Sequence, residues 1–263
     1  MNRYPLIPAV PLLAALALSV ACTHAPSAPS TPSTPSYITA AVADSNRPAA
    51  DVERDANRKP AETLVFAGVH PGEQIGELVP GGGYFTRIFS KAVGPTGHIY
   101  ALVPPRPANP SASTPDRSAA VRALAADPNY PNITVVELTM GKVTTPVPVD
   151  LIFTGQNYHD LHNIPTLNIA AFNKSVFDSL KPGGLFVILD HSAPAGSGAT
   201  DTNTLHRIDV ETVKTEVIAA GFEFVAGSDV LANPADPRTA NVFDPSIRGK
   251  TDQFILKFRK PKK

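Results

Sequence analysis

Cysteine is all but missing: Cys22 is the single one in 263 residues, which excludes an internal disulfide and a cysteine-based zinc site. An excess of either charge is also missing. Lysine plus arginine and aspartate plus glutamate both count 23, so no whole-molecule field draws in nucleic acid or an anionic membrane. A basic cluster does end the chain (Lys257, Arg259, Lys260, Lys262, Lys263), but it is short and reads as a solvated terminus. No Gly-Lys-Ser or Gly-Lys-Thr follows a glycine-rich stretch, which argues against a phosphate-binding P-loop. No apolar run is long enough for a comfortable membrane-spanning helix. The longest, Ile7 to Val20, is short and broken by prolines. What remains is 43% hydrophobic and 17% charged, the composition of a globular protein.

The first residues read as a targeting segment. Arg3 supplies a positive start, the apolar run follows, and small residues come at Ser19, Ala21 and Cys22. The stretch Leu18-Ser19-Val20-Ala21-Cys22 resembles a bacterial lipoprotein signal, in which the cysteine becomes the lipidated first residue. It departs in placing Ser19, not leucine, three residues before the cysteine. An ordinary cleaved secretion signal is the alternative. Residues 23–50, rich in Pro, Ser, Thr and Ala, read as a disordered tether, because such composition buries little apolar surface. The organisation expected is therefore a signal over 1–22, a tether over 23–50 and a folded domain over 51–263. It places the protein outside the cytoplasm, at the periplasm or cell envelope, with a lipid anchor to the membrane through Cys22.

Within the domain, strand and helix patterns alternate. Strands are predicted at Gln74 to Val79, His98 to Val103, Ile133 to Leu138, Val149 to Thr154 and Leu185 to Asp190. Helices are predicted at Tyr84 to Val93, Asp116 to Ala126, Ile169 to Leu180 and Thr204 to Ala220. Two late strands, Phe222 to Leu231 and Gln253 to Arg259, have no helix between them. This is an α/β chain: a doubly wound, mostly parallel Rossmann-like sheet with helices on both faces and an antiparallel C-terminal hairpin. The long loop Asn233 to Lys250 is a candidate cap over a site.

The first chemical motif is Glu77-Leu78-Val79-Pro80-Gly81-Gly82-Gly83-Tyr84-Phe85. Glycines after a strand let backbone approach a ligand, and the next helix offers free N–H groups. Together with Pro71-Gly72-Glu73-Gln74-Ile75, Val93-Gly94-Pro95-Thr96-Gly97 and Leu180-Lys181-Pro182-Gly183-Gly184-Leu185, it resembles class I S-adenosylmethionine-dependent methyltransferases. Three further motifs narrow the resemblance to a family of bacterial "predicted methyltransferases". They are Tyr158-His159-Asp160-Leu161-His162, Leu189-Asp190-His191 and Leu205-His206-Arg207-Ile208-Asp209. The resemblance implies S-adenosyl-L-methionine as cofactor, held by Glu77, Gly81, Gly82, Gly83 and Glu137, and a small-molecule acceptor. Two features depart from the superfamily pattern. The second strand ends Ala101-Leu102-Val103-Pro104-Pro105, without the carboxylate that normally holds the ribose, and Pro80 stands where a glycine is usual.

Ligands of open α/β sheets bind beyond the carboxyl ends of the strands. His159, Asp160 and His162 follow the fourth strand, Asp190 and His191 end the fifth, and His206 lies just beyond. These six are the candidate catalytic residues, with His159 or His191 as a base and Asp160 or Asp190 orienting it. Two other readings stay open. The histidines serve as capping and loop hydrogen-bonders, or His159 and His162 join His191 or a carboxylate as three metal ligands. The rival to methyl transfer is an envelope protein using the same fold to bind a small ligand or a metal.

Overall fold

The computed structural model describes residue 1 and residues 33–105, 116–139 and 141–262. The signal segment, Cys22 and the first part of the tether lie outside the described residues. Among those described, no helix is long and apolar enough to cross a membrane.

The folded unit runs from Thr34 to Lys263. It begins earlier than the sequence predicts, because the second half of the expected tether is helical. Helix α1 (Ser36–Val42) buries Ile38 and Ala41, and α2 (Ala49–Val52) and α3 (Asp55–Arg58) follow. The Pro/Ser-rich flank hides this short apolar face from a composition argument. Arg47, buried in the same stretch, forks onto Asp55 with bonds of 2.8 and 2.6 Å, and Tyr84 donates to Asp55 at 2.5 Å. Helix α4 (Pro60–Ala67) carries Pro60 at its first turn, where no N–H is needed.

Seven strands form one sheet: β1 (Gln74–Leu78), β2 (His98–Val103), β3 (Ile133–Glu137), β4 (Val149–Gly155), β5 (Leu180–His191), β6 (Glu223–Ser228) and β7 (Gln253–Arg259). Their order is β3-β2-β1-β4-β5-β7-β6. The first five are parallel, and β7 lies antiparallel between β5 and β6. The predicted fold class is therefore the observed one. Central strands β1, β2 and β4 are buried almost throughout, as strands covered on both faces must be, whereas edge strands β3 and β6 are mostly exposed or half-buried.

Each face has its own core. On one, α1, α4, α5 (Tyr84–Val93) and α6 (Ala119–Ala125) pack Ile38, Leu64, Ile88, Phe89 and Leu124 against the sheet. On the other, α8 (Ile169–Ser179) and α9 (Val210–Ala219) contribute Phe172, Val176, Val213 and Val217. Two boundaries move. Lys181 to Gly184, between the predicted helix and the predicted strand, is already part of β5. The helix predicted from Thr204 starts only at Val210, because Asp209 caps it by accepting from the Glu211 N–H. The basic terminus is also more than solvated charge. Lys257 donates to the Phe66 carbonyl and Lys260 to those of Phe177 and Leu180.

If α1 belongs to the domain, Ile38→Ala should lower unfolding free energy by about 2–4 kcal/mol, the usual range for emptying a buried aliphatic site. Urea titration checks this. A change below about 0.5 kcal/mol, the range of surface substitutions, would return the segment to the tether.

Candidate functional site at the carboxyl edge of the sheet

The strand order reverses between β1 and β4, so their carboxyl ends diverge and leave a crevice. The residue leaving each strand is in the left-handed region: Val79 at φ 49° and Gln156 at φ 63°. Neither is glycine and one is β-branched, so each position costs of order 1–3 kcal/mol, a kind of strain that gathers at ligand sites. Asn157 ties the two ends together, donating to the carbonyls of Gly155 (2.7 Å) and Val79 (3.2 Å).

Three cavities run in a row along this edge. The first, about 100 Å³, is an apolar slot bounded by Leu78, Pro104, Pro105, Leu138, Leu161 and Phe172. The second, about 220 Å³, lies over the glycine turn between Glu77, Gly81, Gly82, Arg54 and Arg58. It shares Val79 and Asn157 with the first. The third, about 580 Å³, is polar and is lined by Arg54, Arg58, Gln156, His191, Phe243, Arg248, Thr251 and Gln253. It shares Arg54, Arg58 and Gln156 with the second.

In the middle cavity, Glu77 is buried on β1 and accepts from Thr86 at 2.6 Å. Burial pushes its carboxyl up to about 8, against the Thr86 bond and the field of Arg58. Burial likewise lowers the Arg58 guanidinium to about 10, with the like charge of Arg54 adding to it. Arg58 donates to Gln156 at 2.9 Å and lies 4.6 Å over the Tyr84 ring. No carboxylate among the described residues forms a salt bridge with it. A Cβ on Gly82 would meet no atom within 4 Å, and its backbone is ordinary. Gly83 plays a different part: it is buried at φ 83°, and a Cβ there would come within 2.7 Å of Leu124. It closes α5 against α6 and does not line the cavity. Glu137 is also elsewhere, exposed at the end of β3 and 3.0 Å from Arg122.

The predicted histidine rim divides in two. His159, Asp160, Asp190, His191 and His206 come together, and His162 does not. Helix α7 (Tyr158–Leu161), absent from the sequence reading, turns His162 away toward Glu216. Tyr158 is buried and bonded to Glu216 and Asn173, so it packs. Asp190 is fully buried. It accepts from the His159 backbone (2.8 Å), His159 Nδ1 (2.7 Å) and the His191 backbone (2.8 Å). Burial opposes charge on His159, but Asp190 and Asp160 override it and raise the ring to about 10. Burial drives His191 the other way, to about 4, with His159 and Arg207 reinforcing it against Asp190. The two candidate bases therefore part company: in the metal-free chain the carboxylates favour a proton on His159, whereas burial keeps the His191 ring neutral. His191 Nδ1 meets Thr251 at 2.8 Å, and the residue lines the polar cavity. This choice between the two was not legible without the burial of each ring.

Arg54, Arg58, Gln156, Arg248, Thr251 and Gln253 were missed. The spacing of Arg54 and Arg58 was the available signal, two cations four residues apart ahead of helix α4. The loop before β7 was flagged as a cap, and it does reach the cavity through Val242, Phe243, Arg248 and Gly249.

No family model matches the chain, and no curated protein matches it. Solved structures do share its fold. A SAM-dependent methyltransferase from Aquifex aeolicus superposes with a TM-score of 0.57 at 18% identity, over 79% of this chain and 93% of that one. The glycopeptide N-methyltransferase MtfA, complexed with sinefungin, gives 0.53 at 16% identity, over 79% and 86%. The [4+2]-cyclase SpnF gives 0.52 at 15%, over 82% of both chains. At such identities the likeness establishes the fold.

The Glu77 carboxyl yields a signed prediction. With its native value raised from 4.5 to about 8, the folded state holds a proton there that the unfolded chain has released. Its contribution to stability is thus full below pH 4.5 and is lost as pH rises through 8. Glu77→Gln, which cannot ionise, should gain on the wild type by more than about 1 kcal/mol between pH 5 and pH 9. Urea titrations of both proteins at the two pH values measure this. A constant difference would show that Glu77 ionises at its ordinary value.

Proposed function

We propose that the chain transfers a methyl group from S-adenosyl-L-methionine to a small acceptor bound in the polar cavity. The observation that carries this reading is the row of three cavities across the β1/β4 crossover, whose linings change in the order such a cofactor requires. The apolar slot suits a flat heterocycle. The middle cavity sets a carboxyl, Glu77, opposite the guanidinium groups of Arg54 and Arg58, which is the charge pattern of a zwitterionic amino acid. The open space over Gly82 leaves room for the chain between them. Methyltransferases are also among the proteins sharing the fold, one of them in complex with sinefungin.

When bound, the cofactor supplies an electrophilic methyl group on a sulfonium. This chain's own residues do the rest. Arg58 and Glu77 orient the amino-acid end, and the Asn157 bridge holds the two strand ends at a set separation. Neutral His191, backed by Thr251, lines the acceptor cavity and accepts a hydrogen bond from the nucleophile; burial makes it a weak base, so its main part is to orient that group. His159 is a positioning residue, held by Asp190 and Asp160, and not the base. The slot has no carboxylate from the end of β2, so the ribose hydroxyls lose one pair of strong hydrogen bonds and the affinity is correspondingly modest.

A second reading has its own support: an envelope protein that binds a small ligand without methyl transfer. The missing carboxylate after β2 favours it, and the cyclase on the same fold illustrates that the fold does not fix the reaction. The narrower family, export and the Cys22 anchor are proposed on the sequence motifs alone.

Calorimetric titration with S-adenosylhomocysteine separates the readings. Saturable binding is expected, and Gly82→Val should abolish it without loss of stability, because the new side chain enters open space. Absence of saturation at about 1 mM ligand, a binding energy of only about 4 kcal/mol, would overturn methyl transfer. For the anchor, labelled fatty acid should enter the wild type and not Cys22→Ser. A mature chain starting elsewhere without lipid would refute it.

A further inference from the structure

His159, Asp160 and His206 offer His159 Nε2, an Asp160 oxygen and His206 Nδ1, all within 4.8 Å of one another. Asp160 Oδ1 lies 3.3 Å from His159 Nε2 and 3.5 Å from His206 Nδ1. From this geometry we propose that the three residues form a binding site for one divalent transition-metal ion, with zinc the simplest occupant.

Three further features support it. His159 is prepared as a ligand: buried Asp190 accepts from its Nδ1, which fixes the ring and aims Nε2 at Asp160 and His206. A carboxylate behind a ligating imidazole is the usual outer partner of such sites. His206 is held in the left-handed region, φ 56°, on a segment that ends in the buried Arg207. That uncommon backbone brings its imidazole edge-on to His159, with ring centroids 5.4 Å apart. Finally, Asp160 and Asp190 put two carboxylates around one imidazole, and among the described residues no lysine or arginine pairs with either. A bound cation takes the place of the proton that these carboxylates otherwise favour on the His159 ring, so metal binding releases a proton from Nε2. Two imidazoles and one carboxylate suit zinc and its neighbours better than magnesium or calcium, and three protein ligands leave a position for water or a substrate atom.

The ligand set differs from the one the sequence suggested. His162 faces Glu216, and His191 is bonded to Thr251. The new site does adjoin the polar cavity, since His191 lies 6.1 Å from His159 and Phe243 lies 4.9 Å from His206, ring to ring, and both line it. It does not depend on the methyl-transfer reading, because metal binding is read without any cofactor.

The test uses the full chain, stripped with chelator, equilibrated with zinc(II) at about 10 μM and analysed for bound metal, with affinity taken from competition with a chromophoric chelator. About one zinc per chain is expected. His206→Asn keeps a residue that tolerates the backbone, and Asp160→Ala alters an exposed position, so both should fold. Each should weaken binding by about tenfold or more, and Asp190→Asn by about 10–100-fold, as loss of an outer-shell partner does. His162→Ala should bind as the wild type does. Substitution with cobalt(II) should give visible d–d bands that His206→Asn alters. Less than about 0.2 zinc per chain, or unchanged binding in both His206→Asn and Asp160→Ala, would overturn the proposal.

Discussion

The carboxylate of Asp190 is the contact on which the rest of the site depends. It is fully buried at the end of β5 and is held by three N–H donors, two from the α7 region and one from its own neighbour. A buried carboxylate is stable only when its lone pairs are met. Meeting them starts α7 at the right place, docks the end of β4 against the end of β5, and sets the His159 ring. Asp190 favours the charged form of both rings, so their opposite displacements turn on burial, which two carboxylates overcome at His159 and Asp190 alone does not overcome at His191. His159 holds its proton in a short contact with Asp190, while His191 receives mainly the cost of burial. Burial set against the neighbouring carboxylates thus separates two nearby imidazoles in proton affinity, the kind of separation that assigns distinct chemical roles.

A second constraint comes from β7. Because this strand runs antiparallel beside β5, its first residue lies at the carboxyl edge, with Gln253 opposite His191. The loop that precedes it therefore lands on the site. Arg207 secures the landing: buried, it donates to the carbonyls of Ser192 and Ala240 and pairs with Asp236 at 2.9 Å. Asp236 in turn accepts from the backbone of Asp252 at 2.7 Å and of Arg238 at 2.9 Å. The long loop is held by a buried ion pair saturated with hydrogen bonds, which makes it a fixed wall of the polar cavity.

The fold was legible because its information is local and periodic. The βαβ unit from Gln74 to Val103 shows as apolar strands, a glycine turn and a helix with apolar residues at Phe85, Ile88, Phe89 and Ala92. Clustering of five of the six rim residues was legible too, since topology alone brings the ends of β4 and β5 together. What was hidden depends on packing. Seven residues of α1 carry only two buried side chains, too few to stand out from Pro/Ser-rich neighbours. Asp209 looked like part of a helix and is its cap. His162 looked equivalent to His159 until the short turn of α7 placed them on opposite sides, one toward Asp190 and the other toward Glu216. Arg58 comes from outside the motif-bearing region, and only the folded chain brings it across to Glu77.

The polarity along the crevice follows from the sheet's covering. Where β2 and β3 end, Val103 leads into two prolines and Leu138 follows, so the slot there has few polar groups to offer. The guanidinium groups of Arg54 and Arg58 reach the middle cavity from the α3 segment, ahead of the first strand in the chain. The strained Val79 and Gln156 lie between these regions, and Gln156 relays from Arg58 to Gln253 through bonds of 2.9 Å on each side. That relay links the N-terminal helices to β7 across the crossover. The relay ends on Arg58 in the middle cavity, where burial raises the Glu77 carboxyl to about 8 and lowers the Arg58 guanidinium to about 10. Burial disfavours the charged form of both, and each is held by a neutral partner, Glu77 by Thr86 and Arg58 by Gln156, so under the proposed function a ligand carrying an ammonium and a carboxylate would complement the pair.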